Sequence, residues 1–224
     1  MNTALSFEPH LRHLIATLLW KERAIAVSTD TPFRLTSGNF SPIYINCRLL
    51  ISSPTFMSCF ASLGQLLLQG REVKVDKVAG GETAGIPFAA YFAQQSGLPL
   101  VYVRKAEKAH GISKLVEGKL VQGDRVLLIE DLITDGGSKM HFIEALRREG
   151  AVATNVLVLF DRGQGGAQVL REHGVALHAL ADLQTALRVG CECRLMSIAD
   201  FDAVNVYLQS PEEWHRTRGL AFAV

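Results

Sequence analysis

Arg125-Val-Leu-Leu-Ile-Glu-Asp-Leu-Ile-Thr-Asp-Gly-Gly-Ser138 is the stretch that decides the fold. Its four apolar residues, Val126 to Ile129, form a short run without alternation. That is the pattern of a strand buried on both faces of a parallel sheet. Two carboxylates, Glu130 and Asp131, end the strand. Thr134-Asp135-Gly136-Gly137-Ser138 follows as a small-residue turn, and Met140, Ile143, Ala145 and Leu146 then mark the apolar face of a helix. Such a turn presents backbone N–H groups at the positive end of a helix, which suits a phosphate. Thr134 and Ser138 add hydroxyl donors. The two carboxylates stand where a sugar would lie if its phosphate filled the turn. A plainer reading is an ordinary βα turn with solvated acids, and the surrounding chain has to decide between the two.

Outward from this stretch, strands and helices alternate. Lys77-Val78-Ala79 reads as a strand and Ala89 to Ser96 as a helix that Gly97 ends. Leu100 to Val103 is a buried strand. Thr154 to Phe160 is another, followed by a helix over Gln168 to His173 and a strand over Val175 to Leu180. Alternation from Lys77 to Ala181 predicts an α/β fold, a mostly parallel twisted sheet with helices on both faces. Ligand loops then belong at the carboxyl ends of the strands. Four candidate loops fall there: Gly80–Gly85, Arg104–Gly118, Glu130–Ser138 and Asp161–Arg162. The first is glycine-rich, and glycine allows positive φ and close backbone approach to a diphosphate. The second carries Arg104, Lys105, Lys108 and His110, offset by Glu107. A run of charge is usually a solvated face, so these cations need a reason to converge.

The N-terminal part gives a helix from about Glu8 to Arg23, with Leu11, Leu14, Ile15, Leu18 and Leu19 at helical spacing. A short strand at Ala24–Val27 follows. Ser37-Gly38-Asn39 is turn chemistry between extended runs. Ser53-Pro54 opens a helix whose buried face is expected to be Phe56, Phe60, Leu63, Leu66 and Leu67. Leu195–Asp200 and a helix over Phe201–Leu208 read as scaffold. His10, His13, His173, His178 and His215 pair with no visible ligand set and read as structural. The tail from Pro211, with Trp214 and Arg216, is uninformative.

Hydrophobic residues make up 48% of the 224, enough for a full core, and the formal net charge is +1. That balance speaks against a large nucleic-acid footprint, which normally shows a basic excess. No apolar run approaches the length of a membrane span. Met1 to Glu8 lacks the basic region and apolar core of a signal peptide, so a cytoplasmic protein is expected. The four cysteines, Cys47, Cys59, Cys191 and Cys193, form no pair of CxxC motifs. Cys191-Glu192-Cys193 could bind metal or form a strained redox pair; reduced thiols are the simpler reading.

The Arg125–Ser138 stretch resembles the phosphoribosyl-diphosphate (PRPP) signature of type I phosphoribosyltransferases. Phe33-Arg-Leu-Thr-Ser-Gly-Asn-Phe-Ser-Pro42, with Tyr44 and Arg48, resembles a segment of orotate phosphoribosyltransferases that other phosphoribosyltransferases lack. Arg104-Lys-x-x-Lys-x-His-Gly111, with Glu117-Gly118, resembles their mobile catalytic loop. The similarity runs from about Phe33 to Gly166 and is looser outside. It departs at Thr36 and Phe40, where some members carry Lys, at Asn46, where one branch has Asp, and at Ala84, where some have Lys.

The resemblance implies a type I phosphoribosyltransferase fold in one domain over 1–224. A PRPP-binding core would span about 70–182, and a small hood would come mainly from 24–50 and part of the C-terminal region. It implies PRPP contacts by Arg104, Lys105, Lys108, His110, Glu130, Asp131, Leu132, Ile133, Thr134, Asp135, Gly136, Gly137 and Ser138. Lys105, Lys108, His110 and Asp131 would carry catalysis, and the Gly80–Gly85 loop would meet the pyrophosphate. Thr134 and Arg162 would hold orotate, since an Arg fork matches a carboxylate. Magnesium, Mg²⁺, would arrive with PRPP near Glu130 and Asp131 rather than in a protein cage. A homodimer with shared active sites is implied, with no nucleic-acid or membrane partner. The reaction would join orotate N1 to the anomeric carbon of PRPP through an oxocarbenium-like transition state. A purine phosphoribosyltransferase would lack the Phe33–Arg48 segment. A PRPP-sensing regulator would need no catalytic loop.

Overall fold

The structure is a computed structural model and describes residues 3–35, 37–106 and 114–223. Lys108 and His110 lie outside the described residues. Helix α1 (Thr3–Lys21) leads into a hood of short antiparallel pairs. There β1 (Ile25–Val27) pairs with β4 (Ile43–Ile45), and β2 (Phe33–Arg34) with β3 (Phe40–Ser41). A 3₁₀ helix (Cys47–Ser52) and α2 (Pro54–Gly70) connect the hood to the sheet. Then follow β5 (Lys77–Gly81), α3 (Gly85–Ser96), β6 (Leu100–Val103), β7 (Val116–Glu117), β8 (Arg125–Ile133) and α4 (Gly137–Arg148). The chain continues through β9 (Val152–Asp161), α5 (Gly166–Glu172), β10 (Ala176–Asp182), α6 (Leu183–Glu192), α7 (Ile198–Gln209) and α8 (Pro211–Thr217).

The six-stranded sheet has the order β10-β9-β8-β5-β6-β7, parallel except where β7 pairs antiparallel with β6. This is the mostly parallel α/β fold that the alternation predicts. The chain moves outward from β5 to β6 and returns to β8 on the other side of β5. The crevice at the carboxyl ends of β5 and β8 is therefore the topological switch point.

Successive residues of β8 face opposite sides of the sheet. Leu127 and Ile129 join the cluster built by α1, α2 and α3, with Phe60 and Phe88. Val126 and Leu128 join the cluster under α4 and α5, with Phe142, Ile143 and Leu146. The first cluster includes Ile25, Ile43 and Ile45, so the hood strands share the core of the sheet. The pairing of β8 with β9 shifts between Arg125 and Leu127: Arg125 sits opposite Val152 and Leu127 opposite Asn155. Strand β9 carries one extra residue there, a β-bulge.

Several expectations need correction. Strand β8 does not end at the acidic pair but runs on to Ile133, because Glu130 and Ile133 stay in register with Val158 and Asp161. Leu14 is 46% exposed and Leu66 44%. Each has apolar chemistry at helical spacing but falls off the buried arc, which in α2 passes through Met57, Ala61, Gly64 and Leu68. Helix α1 starts before Glu8 and carries Pro9 inside. It ends at Lys21, two residues before Arg23, which takes a left-handed φ of 56°. Ser53 caps α2 as its sequence predicts, accepting from the Phe56 N–H at 3.4 Å.

Candidate active site

The turn 134–138 is built by three fixed points. The Asp135 Oδ1 accepts the Gly137 N–H at 2.8 Å, an Asx turn at the start of α4. Gly136 has φ 88°, a conformation that favours glycine, and a side chain there would meet Gly166 within 3.3 Å. The Thr134 carbonyl accepts from Gly166 and the Ile133 carbonyl from Arg162, both at 3.0 Å. These bonds tie the turn to the end of β9. Thr134, Asp135, Gly136, Gly137 and Ser138 all line a cleft of about 970 Å³. The N–H groups in the first turn of α4 have no acceptor within the helix, which leaves positive partial charge at that end.

The pleat separates the two acids. Asp131 faces the hood, its Oδ2 4.0 Å from Arg48 Nε. Glu130 faces the other way, 4% exposed, with Oε2 3.1 Å from Lys139 Nζ. Its Oε1 is buried without a hydrogen-bond partner among the described residues. A Cβ at Gly81 would lie 2.0 Å from that oxygen, and one at Gly85 2.5 Å from it. The glycines of this loop therefore make room for a buried carboxylate. Gly80, Gly81 and Gly85 do not take positive φ, which corrects one of the two uses expected for them. Burial pushes the Glu130 pKa from 4.5 up to about 7, although Lys139 pulls the other way. Burial likewise pushes the thiol of Cys47 up, with Asp131 adding to the rise.

Lys105 lines the same cleft, and its backbone N–H donates to Glu82 Oε2 at 2.8 Å. Arg104 does not line the cleft. Its guanidinium lies 3.6 Å from Glu117. Arg162 lines the cleft at the end of β9, beside Leu132 of β8, while Ile133 is fully buried and contributes only its backbone. His178 is held in the core between Arg71 and Asn155, and burial lowers its pKa to about 4. Glu82, Lys139 and the tail residues Tyr207, Pro211 and Phe222 also line the cleft; of these, sequence reasoning assigned a role only to the loop that carries Glu82, without singling out that residue. Only Lys139 left a signal: it sits one residue past the turn, at a helix start where a cation is out of place.

Residues 59–172 match the family model for the phosphoribosyl transferase domain. Over 214 residues the chain is 42% identical to the orotate phosphoribosyltransferase of Rhizobium meliloti (strain 1021), covering 93% of this chain and 92% of the relative. The chain belongs to the orotate phosphoribosyltransferases. The solved orotate phosphoribosyltransferase of Aeropyrum pernix is 33% identical, with a TM-score of 0.71, over 82% of this chain and 99% of that one. UMP synthase of Leishmania donovani is 30% identical with a TM-score of 0.76. It matches over 88% of this chain, which spans 42% of that longer protein. The segment Phe33 to Arg48 lies outside the matched phosphoribosyl transferase domain, yet several of its residues line this cleft. Arg34, Leu35, Tyr44 and Arg48 all line it.

Proposed function

We propose that this cleft transfers the phosphoribosyl group of PRPP to orotate, giving orotidine 5′-monophosphate and pyrophosphate. The carrying observation is convergence: Glu82 after β5, Lys105 after β6, Asp131 with the turn 134–138 at the end of β8, and Arg162 at the end of β9 come from four strand ends, and residues of the hood line the same cleft. The 5′-phosphate fits the turn, where amides and hydroxyls meet the start of α4. Asp131 faces the ribose hydroxyls. Glu130 acts from beneath by fixing Lys139 and the loop that carries Glu82. Arg162 grips the orotate carboxylate with its fork, and Thr134 stands beside it.

Orotate N1 bonds to C1′ as the C1′–O bond to pyrophosphate breaks. Orotate is already anionic, so no strong base is required. Lys105 meets the growing charge of the leaving group in its own cleft, and Lys108 and His110 from the same loop of a partner copy join it there. Among the described residues no three His, Cys, Asp or Glu side chains form a metal cage. The nearby acidic donors are oxygens, which suits Mg²⁺ carried in by PRPP. When bound, it would neutralise diphosphate charge, with Asp131 holding the ribose hydroxyls beside it. The position of Arg104, turned to Glu117 and away from its own cleft, supports a loop that serves a partner copy in a homodimer.

The low net charge fits small anions rather than nucleic acid. No described helix is long and apolar enough to cross a membrane, and we place the enzyme in the cytoplasm. The test is the loss of orotate absorbance with PRPP and Mg²⁺, beside hypoxanthine and uracil. Consumption of hypoxanthine or uracil in place of orotate would overturn the proposal.

A further inference from the structure

The tail of the chain forms one wall of the cleft. Tyr207 and Pro211, at the junction of α7 and α8, line it together with Phe222. Pro211 and Arg162 also line an adjoining side pocket of about 220 Å³. The junction therefore adjoins Arg162, and Asn39 of the hood lines the same cleft.

Several contacts hold the tail there. The Asn39 side chain clasps the backbone of Ala223 in both directions. Its Nδ2 donates to the Ala223 carbonyl at 2.9 Å, and its Oδ1 accepts the Ala223 N–H at 2.7 Å. The Leu220 N–H donates to the His215 carbonyl at 3.0 Å. The Phe222 ring lies 4.9 Å from the ring of His215. His215 is fully buried. Its Nε2 accepts the Phe40 N–H at 2.8 Å while Nδ1 lies 2.6 Å from the Pro211 carbonyl. Both bonds form only when the proton sits on Nδ1. Asn39 ends the turn of the hood and Phe40 opens β3, so the tail is bonded to the hood at two neighbouring residues.

Within the segment from Gly219 to Ala223, Leu220 and Phe222 are half-buried and the other three residues are exposed. Such a segment gains little for the core. What it places on the cleft is one flat apolar face, and the Arg that fits a carboxylate lines the same cleft. We propose that residues 219–223 are a strap walling the nucleobase end of the cleft, that the pyrimidine ring packs against Phe222, and that Asn39 holds the strap in place. This deepens the orotate reading and rests on it. A planar heterocycle gains from an aromatic wall both by area and by ring geometry.

The test is steady-state kinetics of wild type, Phe222→Ala, Phe222→Leu, Phe222→Tyr, Asn39→Ala and the Phe222→Ala/Asn39→Ala double variant. Phe222→Ala should raise the KM for orotate about tenfold, leaving kcat and the KM for PRPP within about twofold. Phe222→Leu should behave like it, because Leu has apolar bulk but no flat face. Phe222→Tyr should keep the wild-type KM. Asn39→Ala should raise the orotate KM, and the double variant should be no worse than Phe222→Ala, since both changes act through one strap. Thermal unfolding separates these effects from loss of fold, and Phe222→Tyr against Phe222→Leu keeps the test decisive if Phe222→Ala misfolds. Wild type that consumes orotate, with Phe222→Ala and Phe222→Leu unchanged, overturns the strap alone. Equal rises in both KM values overturn it too. Wild type that does not consume orotate overturns the function and the strap together.

Discussion

Replacing Glu130 by Gln should change how stability depends on pH. The Glu130 carboxyl is buried beneath Gly81 and Gly85, and burial raises its pKa from 4.5 to about 7. Between those values the folded protein holds a proton that the unfolded chain has released. Stability from this group is therefore fully present below about pH 4.5 and is lost as pH rises through about 7. At about 1.4 kcal/mol per pH unit, the loss is on the order of 3 kcal/mol. Lys139 does not remove this penalty; its attraction is already contained in the raised value. Gln cannot titrate and keeps the shape, so Glu130→Gln should lack the decline. Urea unfolding followed by tryptophan fluorescence at pH 5, 6, 7 and 8 would read it, without PRPP or metal and at one protein concentration. Wild type should lose stability relative to the variant by roughly 2.5 kcal/mol from pH 5 to pH 8. Curves that run parallel within about 1 kcal/mol would refute the reasoning, and would mean that Lys139 keeps Glu130 ionised throughout.

Gly81→Ala should destabilise the fold by about 1–3 kcal/mol, since its Cβ would sit 2.0 Å from Glu130 Oε1 and 2.4 Å from the Phe142 ring; an unchanged melting temperature would count against that packing. Lys108→Ala should lower kcat on the order of 10²-fold, the size typical of removing one electrostatic donor, with thermal stability near wild type. Mixing it with Asp131→Asn should restore part of the activity if the loop serves a partner copy, once mixed dimers are shown to form. Activity should vanish with excess chelator and return with Mg²⁺ or Mn²⁺, and full turnover in chelator would sink the metal requirement.

Legibility in the sequence followed locality. Val126 to Ile129, the turn 134–138 and Arg162 could be read because each lies within a few residues of an apolar strand, and strand order alone then sends them to one sheet edge. The continuation of β8 through Glu130 and Asp131 could not. Adjacent carboxylates look like a strand end, and what accommodates Glu130 is space left by Gly81 and Gly85, far back in the chain. Leu14 and Leu66 misled because apolar chemistry at helical spacing says nothing about which arc meets the core. Helix α6 was missed; it is anchored by the Asp182 cap on Thr185 and by the Trp20 indole bonded to the Ala186 carbonyl. The tail was illegible for the same reason of distance. Its partner Asn39 is 184 positions away, and Tyr207, Trp214 and Phe222 share no period that marks a wall.

The extra residue in β9 has a bearing on how this protein can vary. It sits near the start of the strand, while Val156 to Phe160 are fully buried and fix the rest of the strand against β8. A residue gained or lost around the α4–β9 connection can be taken up by the bulge, which acts as slack. Without it, each such change would slide the far end of β9 by about 3.3 Å and turn its side chains over. Arg162 would then leave the Ile133 carbonyl to which its backbone is bonded. Lineages are thereby free to alter the length of that outer connection while Arg162 keeps its distance from the turn 134–138.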